Sequence, residues 1–255
     1  MTPTIDERIR EVAAAENLLV ALDFDGTLSP LVADPMAARA TPEAKRALER
    51  LASCRGVTVA LVSGRSLVDL RIIAEHDDDS PFWLAGSHGA EWWRPAGAPP
   101  VVEVVGDAGD TGVAVAARAA ADGFEGAWIE DKQFGFALHT RTSPDGVEPR
   151  AQRAVDEVVE RLAPDWRRRG GKHVLEFSWR HEGKDGAVAE LRAQTGADAV
   201  IFAGDDVTDE DALRSLAPGD LGIRVGPGDT AAALTVADTP ELAAVLTRVA
   251  ELRAS

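Results

Sequence analysis

Leu18-Leu19-Val20-Ala21-Leu22-Asp23-Phe24-Asp25-Gly26-Thr27-Leu28 is the stretch that decides the fold of this chain. Its opening apolar run has the length of a buried strand, and it delivers two carboxylates, one residue apart, at the strand's carboxyl end. Open α/β sheets bind their ligands at that end. Side chains alternate along an extended chain, so Asp23 and Asp25 are expected on one side and Phe24 on the other, with Gly26 permitting a tight turn. Two like charges aimed at one spot are costly unless a cation, a proton or a reacting group lies between them. An Asp-Gly turn after a strand accounts for Asp25 and Gly26, but it leaves Asp23 and Thr27 unexplained.

Working outward, further apolar runs end in polar residues. Val57–Val62 leads into Ser63-Gly64-Arg65, and Phe82–Ala85 into Gly86-Ser87-His88-Gly89-Ala90-Glu91. Ala199–Ala203 leads into Gly204-Asp205-Asp206-Val207-Thr208-Asp209-Glu210-Asp211. Between the first runs, Thr41-Pro42-Glu43 reads as an N-cap with Pro at the first helical position, opening a helix to about Leu51. Ser66 to about Glu75 reads as a second helix. Strands alternating with helices predict a parallel sheet covered on both faces. The pattern changes at the linker Arg94-Pro95-Ala96-Gly97-Ala98-Pro99-Pro100. Beyond it come two alternating strands, Ala127–Lys132 and Phe134–His139, a helix from about Glu148 to Leu162, and a strand from His173 to Trp179. That order suggests a small α+β unit with a half-exposed sheet. Alternation of the first kind resumes at Lys184 and runs through Leu221–Val225 to a last helix from about Pro240 to Leu252. The expectation is a doubly wound parallel-sheet α/β core, residues 1–97 and 182–255, interrupted by an α+β insertion, residues 98–181.

The chain has 255 residues, 45% of them hydrophobic, enough for a true core. Its net charge of −16 argues against nucleic acid or an anionic membrane as partner, since both require basic patches. An anionic substrate would then be held by a metal ion and a few local cations. No apolar run approaches the length of a membrane span, and Asp6, Glu7, Arg8 and Arg10 are unlike the start of a signal peptide. The single Cys54 excludes an internal disulfide and reads as a packing residue. A reducing cytoplasm fits these features.

Asp23-x-Asp25-Gly26-Thr27 behind an apolar strand resembles the first signature of the haloacid dehalogenase (HAD) superfamily of phosphatases. Ser63, Lys184 in Glu182-Gly183-Lys184-Asp185-Gly186-Ala187, and the cluster from Asp205 resemble the second, third and fourth, in family order. Taken singly, Ser63-Gly64 also reads as a strand-ending turn, Lys184 as a solvated lysine, and the acidic cluster as a helix start capped by Thr208. The resemblance implies a HAD-like (Rossmannoid) catalytic core with the insertion as a cap for substrate recognition. It implies Asp23 as nucleophile, Asp25 as general acid and base, and Ser63 and Lys184 as ligands of the transferred phosphoryl group. It further implies Mg²⁺ bound by Asp23, the backbone carbonyl of Asp25, and Asp205, with Asp206 and Asp209 behind them or orienting Lys184.

Within the superfamily the chain is similar to the trehalose-6-phosphate phosphatase family over nearly its whole length. Ser29-Pro30 after the first motif, Ser63-Gly64-Arg65, the His88 segment and the Asp205–Asp211 cluster carry that likeness. So do Glu130-Asp131-Lys132, His139-Thr140-Arg141 and Lys172-His173-Val174-Leu175-Glu176 in the insertion. The resemblance implies a Mg²⁺-dependent hydrolase of a small sugar phosphate, trehalose 6-phosphate, working through an aspartyl phosphate. Arg65, His88, Glu130, Lys132, His139, Arg141, Lys172 and Glu176 would bind the substrate. Alternation places Glu130 with Lys132, and Lys172 with Val174 and Glu176, on one face each. Such a face has donors and acceptors for sugar hydroxyls, and a plain solvent-facing sheet reads the same. Trp92, Trp93 or Trp128 offers a ring for stacking on a sugar. Two departures from the family pattern are Asp185 directly after Lys184 and Leu213 in place of an aromatic.

The alternatives are a HAD phosphatase for sucrose phosphate or mannosyl-3-phosphoglycerate, a phosphorylated receiver domain, and a catalytically dead binding module. Cap residues would separate the first. A receiver carries its acidic pair before its phosphoacceptor, the reverse of the order here. A dead module would lack an expected catalytic position, and none is missing.

Overall fold

The computed structural model describes residues 4–98, 111–132, 134–179 and 183–254. The chain divides into Met1–Pro100 with Glu182–Ser255, and Val101–His181. Pro99 and Pro100 of the expected linker, and residues 181 and 182 at the expected return, lie outside the described residues.

Chain order begins α1 (Ile5–Ala13), β1 (Leu18–Leu22), α2 (Pro42–Ala52), β2 (Val57–Val62), α3 (Leu67–Ile73), β3 (Trp83–Gly86) and β4 (Glu91–Trp93). The second unit holds α4 (Thr111–Ala121), β5 (Trp128–Lys132), β6 (Gly135–His139), α5 (Glu148–Leu162), β7 (Arg167–Gly171) and β8 (Val174–Ser178). The first unit then closes with α6 (Lys184–Thr195), β9 (Ala199–Gly204), α7 (Glu210–Ser215), β10 (Leu221–Val225), β11 (Leu234–Val236) and α8 (Thr239–Arg253).

In the first unit the strands lie in the order β11-β10-β9-β1-β2-β3-β4, parallel except for β4, which runs antiparallel to β3. This is the doubly wound sheet expected. The chain leaves β1 toward β2 and β3, then returns to lay β9 and its successors on the other side, so strand order reverses between β1 and β9. That reversal opens the crevice where α/β sheets bind ligands. Register carries the argument further: Leu22 of β1 pairs with Leu61 of β2 and Ala203 of β9, so residues after those three positions emerge side by side.

All of β1 is buried because both of its faces are covered. Leu18, Val20 and Leu22 face the core shared with α1, α2 and α8, whereas Leu19 and Ala21 face Ala187, Val188 and Leu191 of α6. Continued alternation gives Phe24 to the first core and puts Asp23 on the side of α6. Helix starts follow the local code. Thr41 caps α2 by accepting from Ala44 N at 3.2 Å with Pro42 at the first position, and Thr4 and Glu7 form a capping box on α1. The second helix ends at Ile73, two residues before the expected Glu75, which takes a left-handed φ of 52°.

In the second unit the antiparallel order is β5-β6-β8-β7. Ile129, Phe136, Leu138, Leu175 and Phe177 pack on α4 and α5, including Val113, Ala117, Val155 and Val159. The residues between them turn to the other face, which carries Trp128, Glu130, Lys132, His139, Glu176 and Arg169 by register. Among the described residues no helix is long and apolar enough to cross a membrane.

Candidate active site

The turn after β1 is built on one left-handed residue, Gly26 with φ +78°, which closes Gly26 N on Ser29 O at 2.7 Å. Leu28 N and Ser29 N both return to Phe24 O, and buried Thr27 donates to Asp23 Oδ2 at 3.4 Å. Gly26 is needed for a second reason. A Cβ there would stand 2.0 Å from Asp205 Oδ2, so the bare backbone makes room for that carboxylate. Gly204 does the same for Asp209, whose Cγ lies 2.2 Å from where a Cβ would be. The glycines of the first and fourth motifs thus let two loops close on one acidic group.

That group is Asp23, Asp205 and Asp209, with one carboxylate oxygen from each within 4.8 Å of the others. Lys184, at the first turn of α6 and 4% exposed, donates to Asp23 Oδ1 at 2.8 Å and Asp209 Oδ1 at 2.6 Å. One ammonium faces three carboxylates. Burial, opposed by Lys184 and reinforced by Asp209 and Asp205, pushes the Asp23 carboxyl well above its ordinary range. Burial and then the charge of Asp209 push Asp205 up to about 6. Carboxylates pressed together this way are relieved by a hard cation, and a set of carboxylate oxygens suits Mg²⁺. The donor set therefore fits the implied metal.

Of the expected metal ligands, the structure groups Asp23 with Asp205, and it brings in Asp209, expected behind them. Asp209 also orients Lys184 directly. Asp25 stands outside this group. The two carboxylates expected side by side each have their own cation, Lys184 for Asp23 and Arg65 for Asp25. Arg65 grips Asp25 in a fork, Nε to Oδ2 at 2.5 Å and Nη2 to Oδ1 at 2.6 Å. Asp206 touches the site through its backbone: its N–H donates to Asp209 Oδ2 at 3.0 Å and its carbonyl accepts from Arg224 Nη1 at 3.0 Å. Thr208 does not cap here, since the Asp206–Asp209 bond closes the turn instead.

Buried Ser63 follows β2, and its Oγ accepts from Arg65 N at 3.2 Å. His88 N donates to Ser63 O at 2.9 Å, and the His88 ring lies over Gly64, 2.7 Å from where a Cβ would be. Ser87 and His88 both take left-handed φ, 47° and 58°, a strain that clusters at functional sites. Glu91 holds this bend by accepting from Ser87 Oγ and from Leu67 N at 3.1 Å. Sequence reasoning missed Arg224 and Glu210, a buried pair at 3.5 Å supporting the acidic loop. The available signal was an arginine inside the apolar run of β10.

In the second unit Glu130 accepts from Lys132 Nζ at 2.8 Å and pairs with His139 Nε2 at 2.7 Å. The His139 bond, opposed by burial and aided by Lys132, holds the Glu130 carboxyl down at about 2. Trp128, 51% exposed, stacks on His139 with centroids 4.2 Å apart. Glu176 meets Arg169, a residue not anticipated, at 3.4 Å. Alternation in the run Arg167-Arg168-Arg169 before two glycines was the signal for it. Lys172 departs from expectation. The strand starts at Val174, so Lys172 lies exposed in the two-residue turn with His173, whose φ is +59°. Arg141 is exposed in the turn after β6.

The trehalose-phosphatase family model matches residues 21–239. A probable trehalose-phosphate phosphatase of Sinorhizobium fredii is 34% identical over 220 residues, 83% of this chain and 79% of that protein. A trehalose-phosphate phosphatase of Mycobacterium tuberculosis is 35% identical over 245 residues, 89% of this chain, and the chain spans 60% of that protein's length. The solved C-terminal domain of C. albicans trehalose-6-phosphate phosphatase superposes with a TM-score of 0.83 over 98% of both chains at 21% identity, a likeness of fold. The doubly wound core with its second sheet is the HAD phosphatase fold.

Proposed function

Because the chain belongs to the trehalose-phosphatase family of phosphatases, we propose that it hydrolyses trehalose 6-phosphate to trehalose and inorganic phosphate. The observation that carries this reading is Lys184 bridging Asp23 and Asp209 beside Asp205, at the end of the central strand of a chain with those relatives.

Asp23 attacks phosphorus, the bond to the sugar oxygen breaks, and Asp25 gives that oxygen its proton. Water then attacks the aspartyl phosphate, Asp25 takes a proton from it, and phosphate leaves with Asp23 restored. Lys184 and Ser63 hold the phosphoryl oxygens, where positioning and charge do most of the catalytic work. Asp23 and Asp205, with the backbone carbonyl of Asp25, would hold Mg²⁺, which supplies positive charge to the phosphoryl group. The residues of the second unit that read the sugar hydroxyls are Glu130, Lys132, His139 and Glu176. The substrate is a small sugar phosphate of the cytoplasm.

The test is phosphate release from trehalose 6-phosphate, sucrose 6-phosphate, mannosyl-3-phosphoglycerate and glucose 6-phosphate, with Mg²⁺ and after exhaustive chelation. Trehalose 6-phosphate should have the highest kcat/KM, and chelation should abolish turnover. Equal turnover of glucose 6-phosphate would overturn the substrate, and full activity after chelation would overturn the metal.

A further inference from the structure

We propose that Arg65 is a positioning residue for Asp25, aligning its carboxylate for proton transfer, and is not a ligand of the substrate phosphate. This rests on Asp25 being the acid and base of the proposed reaction. Three directions of the guanidinium are already committed. Nε and Nη2 form the fork on Asp25 at 2.5 and 2.6 Å, Nη2 also donates to Pro35 O at 2.8 Å, and Nη1 points to Met36 Sδ at 3.9 Å. A planar fork on a carboxylate fixes its orientation as well as its place. Asp25 has need of that, because it is 30% exposed and precedes the left-handed Gly26, outside the buried group that holds Asp23. Arg65 is itself 17% exposed, and its N–H is tied to Ser63 Oγ at 3.2 Å, so the clamp is anchored to the end of β2. Lys184 meanwhile supplies the cation beside Asp23.

The two roles differ in their dependence on the leaving group. An alkoxide must be protonated as it departs, and a p-nitrophenolate need not be. The parameter to read is kcat/KM, which covers only the steps up to departure of the leaving group. In kcat the second use of Asp25, on water, enters for every substrate alike.

The experiment measures kcat/KM of wild type, Arg65→Met, Arg65→Lys, Asp25→Asn and the double variant Arg65→Met/Asp25→Asn on phosphate esters of decreasing leaving-group basicity, from trehalose 6-phosphate to p-nitrophenyl phosphate. Positioning predicts that Arg65→Met lowers the ratio of alkyl-ester to aryl-ester kcat/KM by at least about tenfold, part of the roughly 10²- to 10⁴-fold due to a general acid. Arg65→Lys, which keeps charge and loses the fork, should fall between wild type and Arg65→Met. In the double variant the Arg65 change should add less than about threefold to the alkyl-ester loss of Asp25→Asn. An equal fall on all esters with a raised KM, or full additivity, would overturn the proposal in favour of a phosphate ligand. Should Arg65→Met fail to fold, the comparison is made on Arg65→Lys, whose alkyl-to-aryl ratio should fall below that of wild type by a smaller factor, and an unchanged ratio would overturn the proposal. If wild type cleaves alkyl and aryl esters without preferring trehalose 6-phosphate, the substrate reading fails and this comparison still decides. Inactivity of wild type on every ester would overturn both.

Discussion

Replacing Asp205 by Asn removes one carboxylate from a group in which three lie within 4.8 Å of one another. In the metal-free protein the Asp205 carboxyl is raised from 3.8 to about 6. The folded state therefore holds a proton that the unfolded chain has lost between about pH 4 and 6, and stability falls as pH rises through that window. At roughly 1.36 kcal/mol per pH unit, the ionised group costs the fold roughly 3 kcal/mol at pH 7.5. Asn avoids that cost, and an amide's own desolvation takes back part of it, leaving an expected gain of about 1–2 kcal/mol. Mg²⁺ should reverse the order, because an ion at about 100 times its Kd stabilises a folded site by about 2.7 kcal/mol, and the variant has lost a ligand. The assay is urea unfolding of chelated and Mg²⁺-loaded protein at pH 4.5 and 7.5. The chelated variant should exceed wild type at pH 7.5, match it more nearly at pH 4.5, and fall below it with Mg²⁺. A chelated variant less stable than wild type at pH 7.5 would refute the view of Asp205 as a crowded anion awaiting a cation.

Two further outcomes follow from the same geometry. Gly26→Ala puts a Cβ 2.0 Å from Asp205 Oδ2 at a φ of +78°, so it should cost about 1–3 kcal/mol in unfolding and weaken calorimetric Mg²⁺ affinity at least about tenfold; unchanged affinity would contradict the contact between the two loops. Glu130→Ala and Glu176→Ala should each lower kcat/KM for trehalose 6-phosphate about ten- to hundredfold relative to p-nitrophenyl phosphate, because a sugar or protein group left unpaired costs about 1–3 kcal/mol. Indifference of that ratio would remove the second unit's polar face from sugar recognition.

The sequence by itself determined the central strand, the start of α2 at Thr41-Pro42 and the second sheet that interrupts the parallel one. These are local properties: an apolar run of strand length, a cap, a change of period. Elements too short or too polar to show a period were not legible, among them β4, β11 and the Arg-Arg-Arg-Gly-Gly strand β7. The hairpin that pairs Gly171 of β7 with Val174 of β8 takes Lys172 off its expected face and into a two-residue turn. Only the tertiary structure decided how the charges pair. Asp23 and Asp25 are separated by one residue, yet one is bound by Lys184 from α6 and the other by Arg65 from the end of β2, across sequence separations of 161 and 40 residues. Likewise Arg224 and Glu210 support the acidic loop from β10 and α7. Spacing along a strand fixes which side a carboxylate leaves from, whereas its partner depends on which loops the sheet order brings beside it, and no local pattern records that order.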